Sequence, residues 1–138
     1  MLDCPSGWMK FSGNCYQFNS ETLTWQSAQH QCSSQEADLV SIHSELENNF
    51  TSHQVNPKSQ RFWIGSARKA DQSTEWTWTD GSSFDYHKFC PGKPDNRGGH
   101  QNCLDIGWMA KGENCTRDTW DDQPCDQRLP FICKKSQM

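Results

Sequence analysis

The stretch from Phe89 to Cys133 decides the fold of this chain, and it reads FCPGKPDNRGGHQNCLDIGWMAKGENCTRDTWDDQPCDQRLPFIC. Together with the residues that precede it from Ser82 on, it is rich in glycine and proline and has little hydrophobic periodicity. Loops of such length in compact domains are usually functional or disordered, and four cysteines between Ser82 and Asp126 argue against disorder. We therefore expect an ordered, functional loop region on a scaffold built by the rest of the chain.

The charge and length exclude several classes of function. The net charge is -4 and the pI is about 5.6, without the clustered Lys and Arg that a nucleic-acid interface needs. The chain has 138 residues, a length typical of one domain, and we expect a single domain over 1–138. No run of about 18 apolar residues is present, so no membrane span is predicted. The first residues lack the apolar core of a signal peptide, so the sequence is typical of a mature secreted domain.

The cysteine and tryptophan content compensates for a polar composition. Only 33% of the residues are apolar and the mean hydropathy is -0.97, but the chain has seven Trp and eight Cys. An even cysteine count without a C-x-x-C pair favours disulfides in an oxidising compartment over a zinc ribbon or a redox site. We therefore expect an extracellular protein.

Two helices are predicted in the first half of the chain. Apolar residues at Trp25, Ala28 and Cys32 follow helical spacing, and Thr24 before them is a suitable N-cap. The second helix is predicted to begin with the capping box Ser44-Glu45-Leu46-Glu47, to continue towards Val55 and to end at Asn56-Pro57.

Short strands are predicted around and within the loop region. Residues 62–65 form a short apolar run, and 75–79 alternate strictly between polar and aromatic residues, which is typical of a strand that ends at the turn Asp80-Gly81. Further short strands are expected at 103–106, around 119–120 and at 130–134.

Several motifs in a fixed order resemble the C-type lectin-like domain family over residues 4–134. They are Cys-Pro-x-Gly-Trp at 4–8, Thr24-Trp25, Leu39-Val40-Ser41-Ile42, Trp63-Ile64-Gly65, Trp76-Thr77-Trp78-Thr79-Asp80-Gly81 and Phe131-Ile132-Cys133. The resemblance implies an α+β fold with two helices, two small antiparallel sheets, a long loop region and four disulfides. It also implies the disulfide pairs Cys4–Cys15, Cys32–Cys133, Cys103–Cys125 and Cys90–Cys115, which spacing alone leaves open.

In lectins of this family, calcium and sugar share a site on the long loop. The ligands come from a Glu-Pro-Asn or Gln-Pro-Asp triplet, a Glu two residues before the next Cys, and a Trp-Asn-Asp triplet, since Ca²⁺ takes about 6 to 8 oxygen ligands. The resemblance places the metal ligands at Asp95, Gln101, Asp121 and Asp122, and the sugar contacts at Lys93, Asp95, Gln101 and Asp121. It also implies a cis peptide bond before Pro94.

Lys93 departs from this pattern, because an ammonium has three donors and no acceptor and cannot ligate Ca²⁺. One interpretation is that Lys93 lies among Asp95, Asp121 and Asp122 as an internal cation that replaces the metal. A second interpretation is that the three carboxylates still bind calcium, but weakly. A surface lysine unrelated to the site is the third alternative.

Three functions follow from the resemblance. The first is a glycan-binding lectin with a preference for galactose, because Asp95 is similar to the last residue of the galactose-type triplet. The second is ice binding, because Cys90, 93–95 and 120–125 resemble the type II antifreeze branch, although a disulfide that would need cysteines near Ser66 and at Asn102 is missing. The third is recognition of a protein without sugar or metal. An enzyme is not expected, since no Ser-His-Asp or Cys-His arrangement is suggested.

Other conspicuous residues have ordinary interpretations. Four tryptophans of the family motifs are expected in the core rather than as sugar platforms: Trp63, Trp76, Trp78 and Trp120. The five His residues do not have the spacing of a zinc site, although His87 and His100 flank the loop and could hydrogen-bond a ligand. Of the two glycosylation sequons, Asn49 is predicted to be modified in preference to Asn114, whose sequon contains a cysteine.

Overall fold

The computed structural model of the chain describes residues 3–56, 60–109 and 114–137. Within these ranges the chain forms an α+β fold with two α-helices and eight strands. The helices are α1 (Trp25–Ser33) and α2 (Glu45–Asn49). The strands are β1 (Met9–Phe11), β2 (Asn14–Leu23), β3 (Asp38–Leu39), β4 (Phe62–Arg68), β5 (Trp76–Trp78), β6 (Cys103–Ile106), β7 (Trp120–Gln123) and β8 (Leu129–Ser136).

The strands pair in the order β1-β2-β8-β4-β6-β7, with β3 beside β8 and β5 beside β4. Pairing is antiparallel within β1-β2-β8-β3 and within β5-β4-β6-β7, as expected for two small sheets. The two groups are joined into one mixed sheet by a parallel pairing of β4 and β8 at Trp63 and Phe131. Both side chains are fully buried, so the two groups meet inside the core, which no local sequence pattern could indicate.

Both helices begin where their capping residues predict. The side chain of Thr24 accepts a hydrogen bond from the Ser27 amide at 3.3 Å, and that of Ser44 accepts one from the Glu47 amide at 3.1 Å. The predicted second helix is not uniform, because α2 is followed by a π-helical turn over Phe50–Val55. The backbone becomes extended at Asn56, and Pro57, the other half of the predicted stop, lies outside the described residues.

The tryptophans of the family motifs belong to the core, which confirms the sequence prediction. Trp63 and Trp120 are fully buried, and Trp76 and Trp78 are nearly so. The indole of Trp63 donates to the Leu23 carbonyl at 2.9 Å, and that of Trp120 donates to the Asn48 side chain at 2.8 Å. These bonds satisfy the polar atoms of the Trp63 and Trp120 rings.

Four disulfides are present, as expected, and no cysteine is free in the part of the chain described. Their partners are those that the family resemblance implies: Cys4–Cys15, Cys32–Cys133, Cys90–Cys115 and Cys103–Cys125. Cys103–Cys125 links the segment after β7 to β6, and Cys90–Cys115 joins two parts of the long loop region. Across the same residues, neither helix has the length and apolar character needed to cross a bilayer.

Candidate functional site

The long loop packs beside β7. Phe89 forms a parallel bridge with Trp120, the Cys90 amide donates to the Trp120 carbonyl at 2.9 Å, and the Trp120 amide donates to the Lys88 carbonyl at 2.8 Å. The peptide bond between Lys93 and Pro94 is cis, in agreement with the expectation. The loop therefore brings residues 93–96 close to the carboxylates of β7.

The structure gathers Lys93, Asp95 and Asp121 into one cluster. The Lys93 ammonium lies 2.9 Å from Oδ2 of Asp95 and 3.8 Å from Oδ1 of Asp121. Only 10% of the Lys93 side chain is exposed, compared with 31% for Asp95. Burial tends to raise the pKa of Asp95, but hydrogen bonds from Lys93 and the Arg97 amide outweigh it and hold the pKa below its usual value. Asp95 is therefore a carboxylate that is partly open to solvent.

Asp122 anchors the loop to the sheet. Its carboxylate accepts from the Asp95 amide at 3.2 Å and from the Asn96 amide at 2.6 Å. The guanidinium of Arg68 donates to the same carboxylate at 3.0 Å and also to the main-chain oxygens of Ser73 and Gln101. Arg68 is a second cation of the cluster, and the sequence analysis missed it.

Asp121 is buried on β7 opposite Asp105 of β6. Burial and the neighbouring Asp105 carboxylate raise the pKa of Asp121 to about 7, against the lowering effect of Lys93. Burial likewise raises the pKa of Asp105 to about 6, although its ion pair with Arg61 opposes the shift. Oδ1 of each carboxylate has no hydrogen-bond partner among the described residues. Asp105 was also missed by the sequence analysis.

Gln101, the remaining sequence-predicted ligand, contacts this cluster through its main chain. Its amide donates to the Asn96 side chain at 2.9 Å, and its carbonyl accepts from Arg68 at 2.9 Å. The structure thus brings all the predicted site residues to one region. Most of them contact the cluster through their side chains, whereas Gln101 contacts it through its main chain.

These side chains do not fit a calcium ion in this arrangement. Both oxygens of Asp122 accept from protein donors, both oxygens of Asp95 do so as well, and Asp121 retains only Oδ1 without a hydrogen-bond donor. One such oxygen next to an ammonium cannot supply the roughly 6 to 8 oxygens that Ca²⁺ takes. Throughout the described ranges, no group of three or more His, Cys, Asp or Glu residues is placed to hold a metal ion.

A groove of about 710 Å³ begins at this cluster and runs towards β5. Its wall includes Lys93 and Pro94 and the aromatic side chains of Trp76, Phe84, His87 and Phe89. The volume lies within the range of about 300 to 1,000 Å³ that is typical of ligand pockets. His100, on the other flank of the loop, is exposed and lies 3.7 Å from Asp71 rather than in the groove.

The two sequons lie in different surroundings. Asn49 is half-buried at the end of α2, and the Thr51 hydroxyl of its sequon is buried and donates to the carbonyls of Glu47 and Asn48. Asn114 is exposed beside the Cys90–Cys115 disulfide. In the folded chain, Asn114 is therefore the more accessible of the two side chains.

The sequence profile of the Lectin C-type domain family matches residues 21–135. The chain is 34% identical to human C-type mannose receptor 2 over 98% of its own length but spans only 9% of that receptor. It is 35% identical to ladderlectin of Oncorhynchus mykiss, covering 92% of this chain and 65% of the relative. It is 33% identical to a lectin of Pleurodeles waltl, covering 96% of this chain and 76% of the relative.

Solved structures with the same fold include both sugar-binding and antifreeze domains. A calcium-independent type II antifreeze protein aligns with a TM-score of 0.85 and 29% identity, covering 100% of this chain and 98% of that protein. A Ca²⁺-dependent type II antifreeze protein in its Ca²⁺-free form has a TM-score of 0.82 and 34% identity, covering 96% of this chain and 100% of that one. The carbohydrate-recognition domain of cow CD23, in the presence of an oligosaccharide, has a TM-score of 0.85 and 29% identity, covering 100% and 99%.

Proposed function

The chain belongs to the C-type lectin domain family, and on that premise we propose that it is an extracellular carbohydrate-binding lectin that needs no calcium. Members of this family are binding domains and not enzymes, so the long loop is a recognition site. We take residues 4–134 as one lectin unit, which the family match over 21–135 supports. Four disulfides are typical of proteins from oxidising compartments and support an extracellular location.

The position of the Lys93 ammonium is the observation that carries the proposal. It lies 2.9 Å from Asp95 and 3.8 Å from Asp121, two residues that the family resemblance assigns as calcium ligands. A charge-assisted hydrogen bond to a carboxylate is about twice as strong as a neutral one, so Lys93 can hold the loop in shape as an internal cation. The loop would then be ordered for ligand binding whether or not metal is present.

The part of this cluster that is open to a ligand is the surface of Lys93, Pro94 and Asp95. Pro94 is exposed and the Asp95 carboxylate is partly exposed, so sugar hydroxyls can donate hydrogen bonds to Asp95. We assign sugar contacts to Lys93, Asp95 and Gln101, with galactose-type ligands preferred because the triplet ends in Asp95. Asp121 would act through Lys93, since only 3% of its side chain is exposed.

A glycan array tests the proposal when it is read once with calcium and once with a chelator. We expect galactose-terminated glycans to give signals that the chelator does not change. An Asp95→Ala variant should lose the signal, whereas Asp71→Ala, which changes an exposed carboxylate beyond the cluster, should keep it. Signals that appear only with calcium, or no signal at all, would contradict the proposal.

Ice binding is the second candidate, because the fold matches a calcium-independent type II antifreeze protein over the whole chain. A metal-free long loop is consistent with that function as well as with sugar binding. Thermal hysteresis measured on the same sample separates the two. Hysteresis with a blank array would make ice binding the function, and a blank in both assays would favour recognition of a protein.

A further inference from the structure

The groove beside Lys93 and Pro94 has the composition of a sugar subsite. From the proposed lectin function, on which this inference rests, we propose that the groove binds a second pyranose ring, so that the preferred ligand is a disaccharide or longer oligosaccharide. Lys93 and Pro94, which belong to the proposed site of the first sugar, also line the groove. The two binding positions are therefore continuous.

One wall of the groove is a row of aromatic rings. The rings of Phe84 and His87 are nearly parallel, with centroids 6.5 Å apart and an interplanar angle of 11°. The centroids of His87 and Phe89 are 5.3 Å apart, and Trp76 lies 6.2 Å beyond Phe89. The carbon-bound hydrogens of a pyranose form an apolar face that can pack on such rings, because the faces of aromatic rings carry negative potential.

Two rings of this row pack against the hydrophobic core. Phe84 and Phe89 pack against the core, with ring centroids 6.0 Å and 5.9 Å from that of the buried Trp120. His87, in contrast, is exposed and lines the groove. A ligand that packs on His87 would thus meet a surface that is ordered before binding, which reduces the entropy lost on association.

The remaining lining of the groove is polar. It is formed by Lys69, Thr74, Glu75 and Thr77, all of them exposed. Lys69 and Glu75 form an ion pair at 3.3 Å, and the two threonines add hydroxyls that both donate and accept. A lining that combines aromatic rings with hydroxyls and paired charges matches a sugar ring, which has an apolar face and a rim of hydroxyls.

The test compares disaccharides with their monosaccharides on the native chain and on His87 variants. The probes are lactose with methyl β-galactoside, and mannobiose with methyl α-mannoside, titrated by calorimetry. We expect one disaccharide to bind the native chain at least about tenfold more tightly than its monosaccharide, which corresponds to about 1.4 kcal/mol. His87→Ala should remove this gain and leave monosaccharide affinity unchanged.

Two further variants identify the cause. His87→Phe keeps an aromatic ring without its nitrogen atoms and should retain the gain if stacking is responsible. His100→Ala removes an exposed histidine outside the groove and should change nothing. Because His87 is exposed, all variants should unfold at the temperature of the native chain.

The outcomes separate the subsite from the lectin function. Equal affinity for disaccharide and monosaccharide, or a gain that survives His87→Ala, overturns the subsite and leaves the lectin function standing. If none of the four saccharides binds, both fail. A protein ligand lost in His87→Ala, in the absence of any saccharide binding, would assign the groove to protein recognition and overturn the proposal.

Discussion

Lys93 shows how one side chain changes the chemistry of the long loop in a chain that otherwise matches the C-type lectin domain family. Where the family places an acidic or amide ligand, this chain has an ammonium, 2.9 Å from Asp95 and with only a tenth of its side chain exposed. Arg68 adds a guanidinium at 3.0 Å from Asp122. Two protein cations therefore form ion pairs with carboxylates of this cluster.

Replacing Lys93 by Glu should convert this cluster into a calcium site. The Lys93→Glu variant adds a carboxylate beside Asp95, Asp121 and Asp122, so we expect lower stability without metal, because like charges repel, and stabilisation by Ca²⁺. With calcium at about a hundredfold its Kd, the thermal unfolding midpoint of the variant should rise by about 5 to 10 °C. The measurement is thermal unfolding in excess calcium chloride and in chelator.

Lys93→Met is the control for this variant, since it removes the ammonium without adding a ligand. It should be less stable than the native chain and insensitive to calcium. Equal stabilisation of the native chain and Lys93→Glu by calcium would show that Lys93 does not replace the metal.

Asp121 should make the native chain less stable as the pH rises from about 4 to about 7. Folding raises the pKa of Asp121 to about 7 and that of Asp105 to about 6, so the folded chain holds protons that the unfolded chain releases in this window. The stabilising protonation is complete below the unfolded pKa and lost as the pH passes the folded values. Asp121→Asn removes one of these groups and, by family resemblance, restores the usual Trp-Asn-Asp triplet.

Urea unfolding of the native chain and Asp121→Asn at pH 4 and pH 8 measures this effect. We expect the variant to gain stability relative to the native chain between the two pH values, by an amount on the order of a few kcal/mol. Asp126→Asn is the control, because Asp126 is an exposed carboxylate outside the cluster. A constant difference between native chain and Asp121→Asn at both pH values would contradict the prediction.

At the residue scale, sequence reasoning found the members of the cluster that lie in motifs and missed the others. The family motifs point to Lys93, Asp95, Asp121 and Asp122. Arg68 and Asp122 are 54 residues apart in the sequence, and no sequence pattern around Arg68 predicts their contact. Such pairs depend on the register between strands, which is a tertiary property.

Gly65 shows a similar constraint at the scale of elements, because β4 and β3 approach each other closely at this position. A Cβ on Gly65 would lie 2.4 Å from the Leu39 carbonyl oxygen. The Gly65 amide donates to the Val40 carbonyl at 2.8 Å, so the strand cannot move away without losing this bond. Glycine is needed here for space and not for its backbone freedom.

Gly65→Ala should therefore lower the free energy of unfolding by about 1–3 kcal/mol, as is typical of overpacking. Thermal or urea unfolding measures the change. Ser66→Ala is the matched control on the same strand, since the buried Ser66 hydroxyl has no hydrogen-bond partner among the described residues and its loss should be nearly neutral. Equal stability of Gly65→Ala and the native chain would mean that β3 and β4 are farther apart than described.

The elements that depend on local signals were predicted well from the sequence. The caps at Thr24 and Ser44 and the strand at 75–79 rest on residue types and spacing within a few positions. The π-helical turn after α2 and the parallel pairing of Trp63 with Phe131 were not predicted, because they depend on how distant segments pack.

At the scale of the whole molecule, the order of motifs was enough to predict the fold class and the family. The path of the long loop was not predictable, since it has no periodicity and is fixed by its contacts with β7 and by the Cys90–Cys115 and Cys103–Cys125 disulfides. The identities of the loop residues thus indicated a site, while its geometry had to come from the structure.

The disulfide pairing can be checked directly by peptide mapping of the unreduced protein. We expect the peptide that contains Cys90 to be linked to the one that contains Cys115, because their Cα atoms are 5.0 Å apart, within the range for disulfides. The Cys32–Cys133 link, which spans 101 residues of sequence, serves as an internal control. Free thiols at Cys90 and Cys115 would contradict the pairing and remove one of the two disulfides of the loop.

Calorimetric titration of the native chain with calcium tests most directly whether Lys93 takes the place of the metal. The ammonium beside Asp95 and Asp121, and the protein donors on Asp122, predict no binding heat beyond dilution. Saturable binding in the micromolar to low-millimolar range would contradict the account of a metal-free lectin site.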